Sequence, residues 1–224
     1  MKPTPNAKGP RKPLNLGIKQ KPDLDIPVLI KTKLPIQSTE SKMTPIISTI
    51  YQIYPTSLYP TSLNHKGVLY LSNVGTAMNK KIIDSVNIKR IVNLCVDDPG
   101  GDYTHNPDEI KIMRLKLDDL ASSELAPIIC ATYPFIAEGL DIGENVLVHC
   151  YAGISRSVST IMAFLILHDP EWIDTIRLKS ENNVDSLYRY IKSIKSDIEP
   201  NLGFVLQLEL MSDKWDVYKT KHCL

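Results

Sequence analysis

The segment Val148-His-Cys-Tyr-Ala-Gly-Ile-Ser-Arg-Ser157 gathers a thiol, an imidazole, a guanidinium and a hydroxyl in one short stretch. An apolar run, Asn145 to His149, precedes it and reads as a strand; Ser157 to Leu167 follows and reads as a buried helix. A loop entering a helix N-terminus points several main-chain N–H groups at one spot, which suits a phosphate-like dianion. Gly153 lets that loop curl, and the planar fork of Arg156 can clamp two phosphate oxygens at once. The same field favours the thiolate of Cys150 and so makes it a nucleophile. An inert core cysteine is the plain alternative; the company of His149, Gly153, Arg156 and Ser157 argues against it.

The elements around this loop alternate between strand and helix. Gly67 to Ser72 reads as a strand, Asn79 to Ser85 as a short helix, Ile91 to Cys95 as a buried strand, and Lys111 to Leu117 as a third strand by its alternation. Glu124 to Ala137 carries apolar residues at helical spacing. This order predicts an α/β fold with a central, mostly parallel sheet flanked by helices.

The ends of the chain differ. Of 224 residues 43% are apolar, enough for one sizeable core, and the net charge is only +1. Residues 1–42 nevertheless hold nine Lys/Arg against Asp23, Asp25 and Glu40, and the first 50 residues contain no aromatic side chain. Ten of the sixteen prolines lie within residues 1–60. Such a stretch buries too little to offset its ordering entropy, so residues 1–46 are expected to be a disordered basic tail rich in Pro and Lys. The longest apolar run, Ile161 to Leu167, is too short to cross a bilayer, and no apolar signal run follows Met1. The expectation is a soluble intracellular protein, cytoplasmic or nuclear, with no membrane partner. The cysteines, Cys95, Cys130, Cys150 and Cys223, show neither CxxC pairs nor histidine clusters, so neither a disulfide framework nor a metal site is expected.

His149-Cys-x-x-Gly-x-Ser-Arg-Ser157 resembles the signature loop of the dual-specificity branch of the protein tyrosine phosphatases. Gly67 to Ala77, Ile88 to Cys95, and Glu199-Pro-Asn-Leu-Gly-Phe204 with Gln207-Leu208 are similar to further segments of that family. The likeness spans about residues 47–215, and the stretch from Asp169 to Ile198 departs from it by being longer and more polar. It implies a catalytic domain over 47–218 with a short C-terminal tail, 219–224. It also implies a metal-independent, cofactor-free phosphatase acting on phosphotyrosine and phosphoserine or phosphothreonine through a cysteinyl-phosphate. In that mechanism Cys150 attacks phosphorus, and Arg156 with the main chain of Tyr151, Ala152, Gly153, Ile154 and Ser155 binds the phosphate. Ser157 assists the departing sulfur, and His149 orients the loop and supports the thiolate.

The resemblance further requires a carboxyl group that protonates the leaving oxygen, and Asp118 and Asp119 are adjacent candidates. The family's offset from acid to helix fits Asp119, as does its parity with Leu115 and Leu117; Asp118 stays as the alternative. None of Tyr151, Ala152, Ile154 and Ser155 is basic, which disfavours inositol phospholipids and favours phosphorylated proteins as substrates. Nucleic acid is not expected as a partner, because the acidic domain lacks interleaved basic and aromatic residues. Arg11-Lys-Pro-Leu-Asn-Leu16 resembles a motif that docks on MAP kinases, against the plainer reading of the tail as a solubilising extension. The competing functions are a phosphatase for a non-protein substrate and a phosphate-binding scaffold without turnover.

Overall fold

The computed structural model describes residues 49–57, 61–97 and 109–222. The expected tail, 1–46, lies outside them. Five strands form one sheet in the order β1-β2-β5-β3-β4: β1 (Tyr51–Tyr54), β2 (Leu69–Asn73), β3 (Ile88–Asn93), β4 (Lys111–Arg114) and β5 (Asn145–Cys150). Only the β1 edge is antiparallel, so the sheet is mostly parallel as the alternation of elements requires. β5 lies at the centre and is apolar on both faces because both are covered. Val146 and Val148 pack into the larger core, whereas Leu147 turns to the smaller one with Ile82, Ile83 and Ile91.

Two short helices, α1 (Val74–Ala77) and α2 (Lys80–Ser85), lie at the smaller core. Asn73 and Asn79 cap them, each accepting a main-chain N–H three residues on. The larger core is closed by α3 (Ala126–Ile142), α4 (Arg156–His168), α5 (Pro170–Ile176), α6 (Asn183–Ile194) and α7 (Leu202–His222). α3 runs past the expected end at Ala137 until Gly143, whose φ of 88° stops it in the left-handed region. The stretch that departs from the family resemblance is two capped helices. Asp169 accepts the Trp172 N–H at 3.0 Å ahead of Pro170, and Asn182 accepts the Asp185 N–H at 2.8 Å.

The helix α7 continues past residue 218; its one departure from helical geometry is at Lys214 (φ −141°, ψ 41°). Cys95 and Cys150 are buried and outside any disulfide, whereas Cys130 on α3 is disulfide-bonded. β4 is also shorter than the alternation suggests. It ends at Arg114, and the carbonyl of Leu117 accepts from the Arg156 side chain instead of a strand.

Candidate active site

The C-terminal ends of β2, β3 and β5 finish side by side, with Asn73 opposite Cys150 and Asn93 opposite His149. In a parallel sheet that edge is where ligands bind. The chain leaves β5 at Cys150, curls through residues 151–155, and enters α4 at Arg156. The curl depends on Gly153, whose φ is 70°. A Cβ at this position would stand 2.6 Å from the Ser72 carbonyl oxygen, so any side chain meets both strain and a clash.

This curl surrounds one sulfur with donors. The Gly153 N–H donates to Cys150 Sγ at 3.2 Å, and Ser157 Oγ, on the second residue of α4, lies 3.2 Å from it. His149 is fully buried beneath the loop, with Nδ1 3.3 Å from the Cys150 carbonyl. A carbonyl can only accept, so this contact assigns the proton to Nδ1. Burial pushes His149 down to about 4, so the ring is neutral at pH 7 and meets the Cys150 carbonyl as a neutral hydrogen-bond donor.

The Arg156 guanidinium is anchored at one corner. Nη1 donates to the carbonyls of Leu94 and Leu117 at 3.4 and 3.3 Å, fastening the side chain between the exits of β3 and β4. Nε, buried and without a hydrogen-bond partner, faces Asp119 Oδ2 at 3.6 Å. A buried unsatisfied donor costs about 1–3 kcal/mol and calls for a functional explanation. Here it belongs to the group best shaped to grip an oxyanion.

Of the two adjacent carboxylates the structure brings only Asp119 into this site. Both side chains are exposed, but it is Asp119 whose Oδ1 accepts from Ser155 Oγ at 2.6 Å and from Asn201 Nδ2 at 2.8 Å. Asn201 also caps α7, accepting the Phe204 N–H at 3.0 Å, and donates its own N–H to Ser155 Oγ at 3.2 Å. Gln207 accepts the Leu125 N–H at 2.8 Å and donates to the Ser123 carbonyl at 2.9 Å. A Cβ on Gly203 would run into the Ala121 backbone, so residues 119–125 lie directly on the first turns of α7.

The loop positions expected to bind substrate therefore have unequal roles. Tyr151 and Ala152 are exposed at the mouth; the Tyr151 carbonyl accepts the Val74 N–H at 3.1 Å. The Ile154 carbonyl accepts the Glu199 N–H at 3.0 Å, and Ser155 is buried with its hydroxyl committed to Asp119 and Asn201. Sequence reasoning gave Asn201 and Gln207 no role at the site. An Asn ahead of an apolar helical run signals the cap, but nothing in the sequence says that the same side chain reaches Asp119. Among the described residues no cluster of His, Cys, Asp or Glu is placed to hold a metal ion.

The sequence profile of the dual specificity phosphatase catalytic domain matches residues 69–214. Human dual specificity protein phosphatase 7 is 29% identical over 181 residues, which cover 79% of this chain and 37% of that protein. Dual specificity protein phosphatase 1 of Arabidopsis thaliana is 28% identical over 141 residues, 63% of this chain and 64% of the relative. The chain thus spans well under half the length of the first of these. Among solved structures, the Yvh1 phosphatase domain from Chaetomium thermophilum superposes with a TM-score of 0.58 at 23% identity, covering 75% of this chain and 96% of that one. A mouse putative dual specificity phosphatase complexed with zinc tungstate gives 0.57 at 20% identity, covering 84% and 98%.

Gly153→Ala is expected to destabilise the fold by about 2 kcal/mol or more, combining positive-φ strain with the contact on Ser72. Chemical denaturation gives the value, and a loss under about 0.5 kcal/mol would contradict the packing described. Stability is also expected to depend on pH. An unfolded histidine takes its proton near 6.5, while folded His149 does so near 4, so its stabilising share is complete above pH 6.5 and lost as pH falls towards 4. His168, likewise pushed to about 4 by burial and then by His65, acts in the same direction. Between pH 6.5 and 5, above most carboxylate titrations, His149 alone should remove about 2 kcal/mol. Urea unfolding at both pH values checks this.

Proposed function

Since the chain belongs to the dual-specificity phosphatase catalytic-domain family, we propose that it is a metal-independent protein phosphatase working through a cysteinyl-phosphate. The observation that carries this reading is the pair of donors 3.2 Å from Cys150 Sγ, with Arg156 Nε and Asp119 beside them. Sγ attacks phosphorus in line; the S–P bond forms as the P–O bond to the substrate breaks, and Asp119 hands its proton to the departing oxygen. Arg156 and the main chain of residues 151–156 stabilise the charge on the equatorial oxygens, the largest contribution to a phosphoryl transfer of this kind. Water then attacks phosphorus and gives its proton to Asp119, while the Ser157 hydroxyl donates to the sulfur that leaves. His149 and Ser155 are positioning residues, acting through the Cys150 carbonyl and through Asp119 respectively.

Phosphorylated proteins are the substrates this reading favours. The exposed loop positions Tyr151 and Ala152 carry no charge that would meet the extra phosphates of an inositol lipid. Among the described residues no helix is long and apolar enough to cross a membrane, and an intracellular location completes the proposal. Arg11-Lys-Pro-Leu-Asn-Leu16 extends it to a MAP kinase-like partner that the basic segment engages.

Turnover of p-nitrophenyl phosphate in EDTA is the deciding experiment. Cys150→Ser should abolish it, and activity persisting in that variant would sink the mechanism. Asp119→Ala should lower kcat by roughly 10²- to 10⁴-fold with little change in KM, and Asp118→Ala should have little effect. Asn201→Ala should fall between them, because it removes one of the two hydrogen bonds to Asp119 Oδ1. Deleting residues 1–46 should weaken binding to a MAP kinase without changing turnover of the small substrate; unchanged binding in a direct affinity measurement would remove the docking role.

A further inference from the structure

The helix α7 is apolar on two faces. Phe204, Leu208 and Met211 are buried against the core, as an amphipathic helix requires. Leu202, Leu206 and Leu210, spaced four residues apart, form a second stripe that is 70%, 52% and 54% exposed. Leu120, beside the proton donor, is 59% exposed. It adjoins the stripe, since Asp119 is bonded to Asn201 and Ala121 lies against Gly203, which sets residues 119–121 alongside 201–203. A continuous row of exposed leucines marks a binding surface, and this one begins at the lip of the catalytic pocket.

We propose that this stripe seats apolar side chains of the phosphoprotein substrate that flank the phosphorylated residue. The proposal rests on the phosphatase reading above and adds a preference in sequence context. The occupant is argued from position: Leu120 follows Asp119 and Leu202 follows Asn201, which bonds to Asp119, so the stripe starts beside the loop at Cys150 to Arg156 that would hold the substrate's phosphate. From Leu202 to Leu210 is about 12 Å along a helix, the reach of about four residues of extended chain. The stripe therefore spans about four consecutive substrate residues on one side of the phosphoresidue.

Two neutral phosphopeptides test this with the full chain, identical except that the positions flanking the phosphoresidue are leucine in one and serine in the other. The leucine peptide should show a kcat/KM at least tenfold higher. It should also bind the Cys150→Ser protein at least tenfold more tightly by fluorescence anisotropy, a readout independent of turnover. In Leu206→Ser/Leu210→Ser the ratio between the peptides should fall towards one. Equal handling of the two peptides by the parent protein, or a preference that survives the double substitution, overturns the proposal. So does sedimentation showing a dimer that the double variant abolishes, because a second copy would then be the occupant. If binding to Cys150→Ser shows the preference while the parent hydrolyses neither peptide, the phosphatase reading fails and the docking surface stands.

Discussion

The site depends on one main-chain constraint: the chain must reverse around a sulfur atom while its N–H groups point inward. Gly153 makes that possible. Its backbone lies in the left-handed region and packs against the Ser72 carbonyl so closely that no side chain fits. The central position of β5 supplies the rest. Cys150 has β2 on one flank and β3 on the other, and the nucleophile stands at the end of the most enclosed strand of the sheet. The guanidinium is fixed by the same architecture, since the two carbonyls that accept from Arg156 belong to the segments leaving β3 and β4.

The proposed proton donor is built on a different principle. Asp119 lies outside the sheet and is held by side chains from two other parts of the chain: Ser155 in the loop and Asn201 at the start of α7. A hydroxyl and an amide share one carboxylate oxygen, which leaves the other facing Arg156. Because Ser155 bonds to both Asn201 and Asp119, the nucleophile loop and the acid loop form one hydrogen-bonded unit. Gln207 and Gly203 extend the attachment along residues 121–125.

What could be read from the sequence was what local chemistry determines. The boundary between β5 and α4 was legible to within a residue, because an apolar run, a glycine-containing turn and a second apolar run mark it. The preference for Asp119 over Asp118 came from the family offset rather than from a strand, since β4 ends at Arg114, and it is Asp119 whose carboxylate meets Ser155 and Asn201. The less legible features have non-local causes. Ser155, counted among substrate contacts, is buried because Asn201 and Asp119 claim its hydroxyl from opposite directions in the chain. β4 ends at Arg114 opposite Asn93, where its partner β3 ends, and beyond it the Leu117 carbonyl accepts from a guanidinium 39 residues away. The helices α5 and α6 were hidden for another reason: their polar faces mask the period, although Asp169-Pro170 and Asn182 announce their starts.

The fastening of the acid loop to α7 sets an order of events during synthesis. A nascent chain that has emerged only as far as α4 already carries nucleophile, guanidinium and carboxylate, yet the amide that steadies the carboxylate is still to be made. The residues that complete the proton donor's setting are among the last of the domain to leave the ribosome. The setting of the carboxylate is thereby tied to completion of α7, and a chain that lacks this helix holds Asp119 without the amide that steadies it.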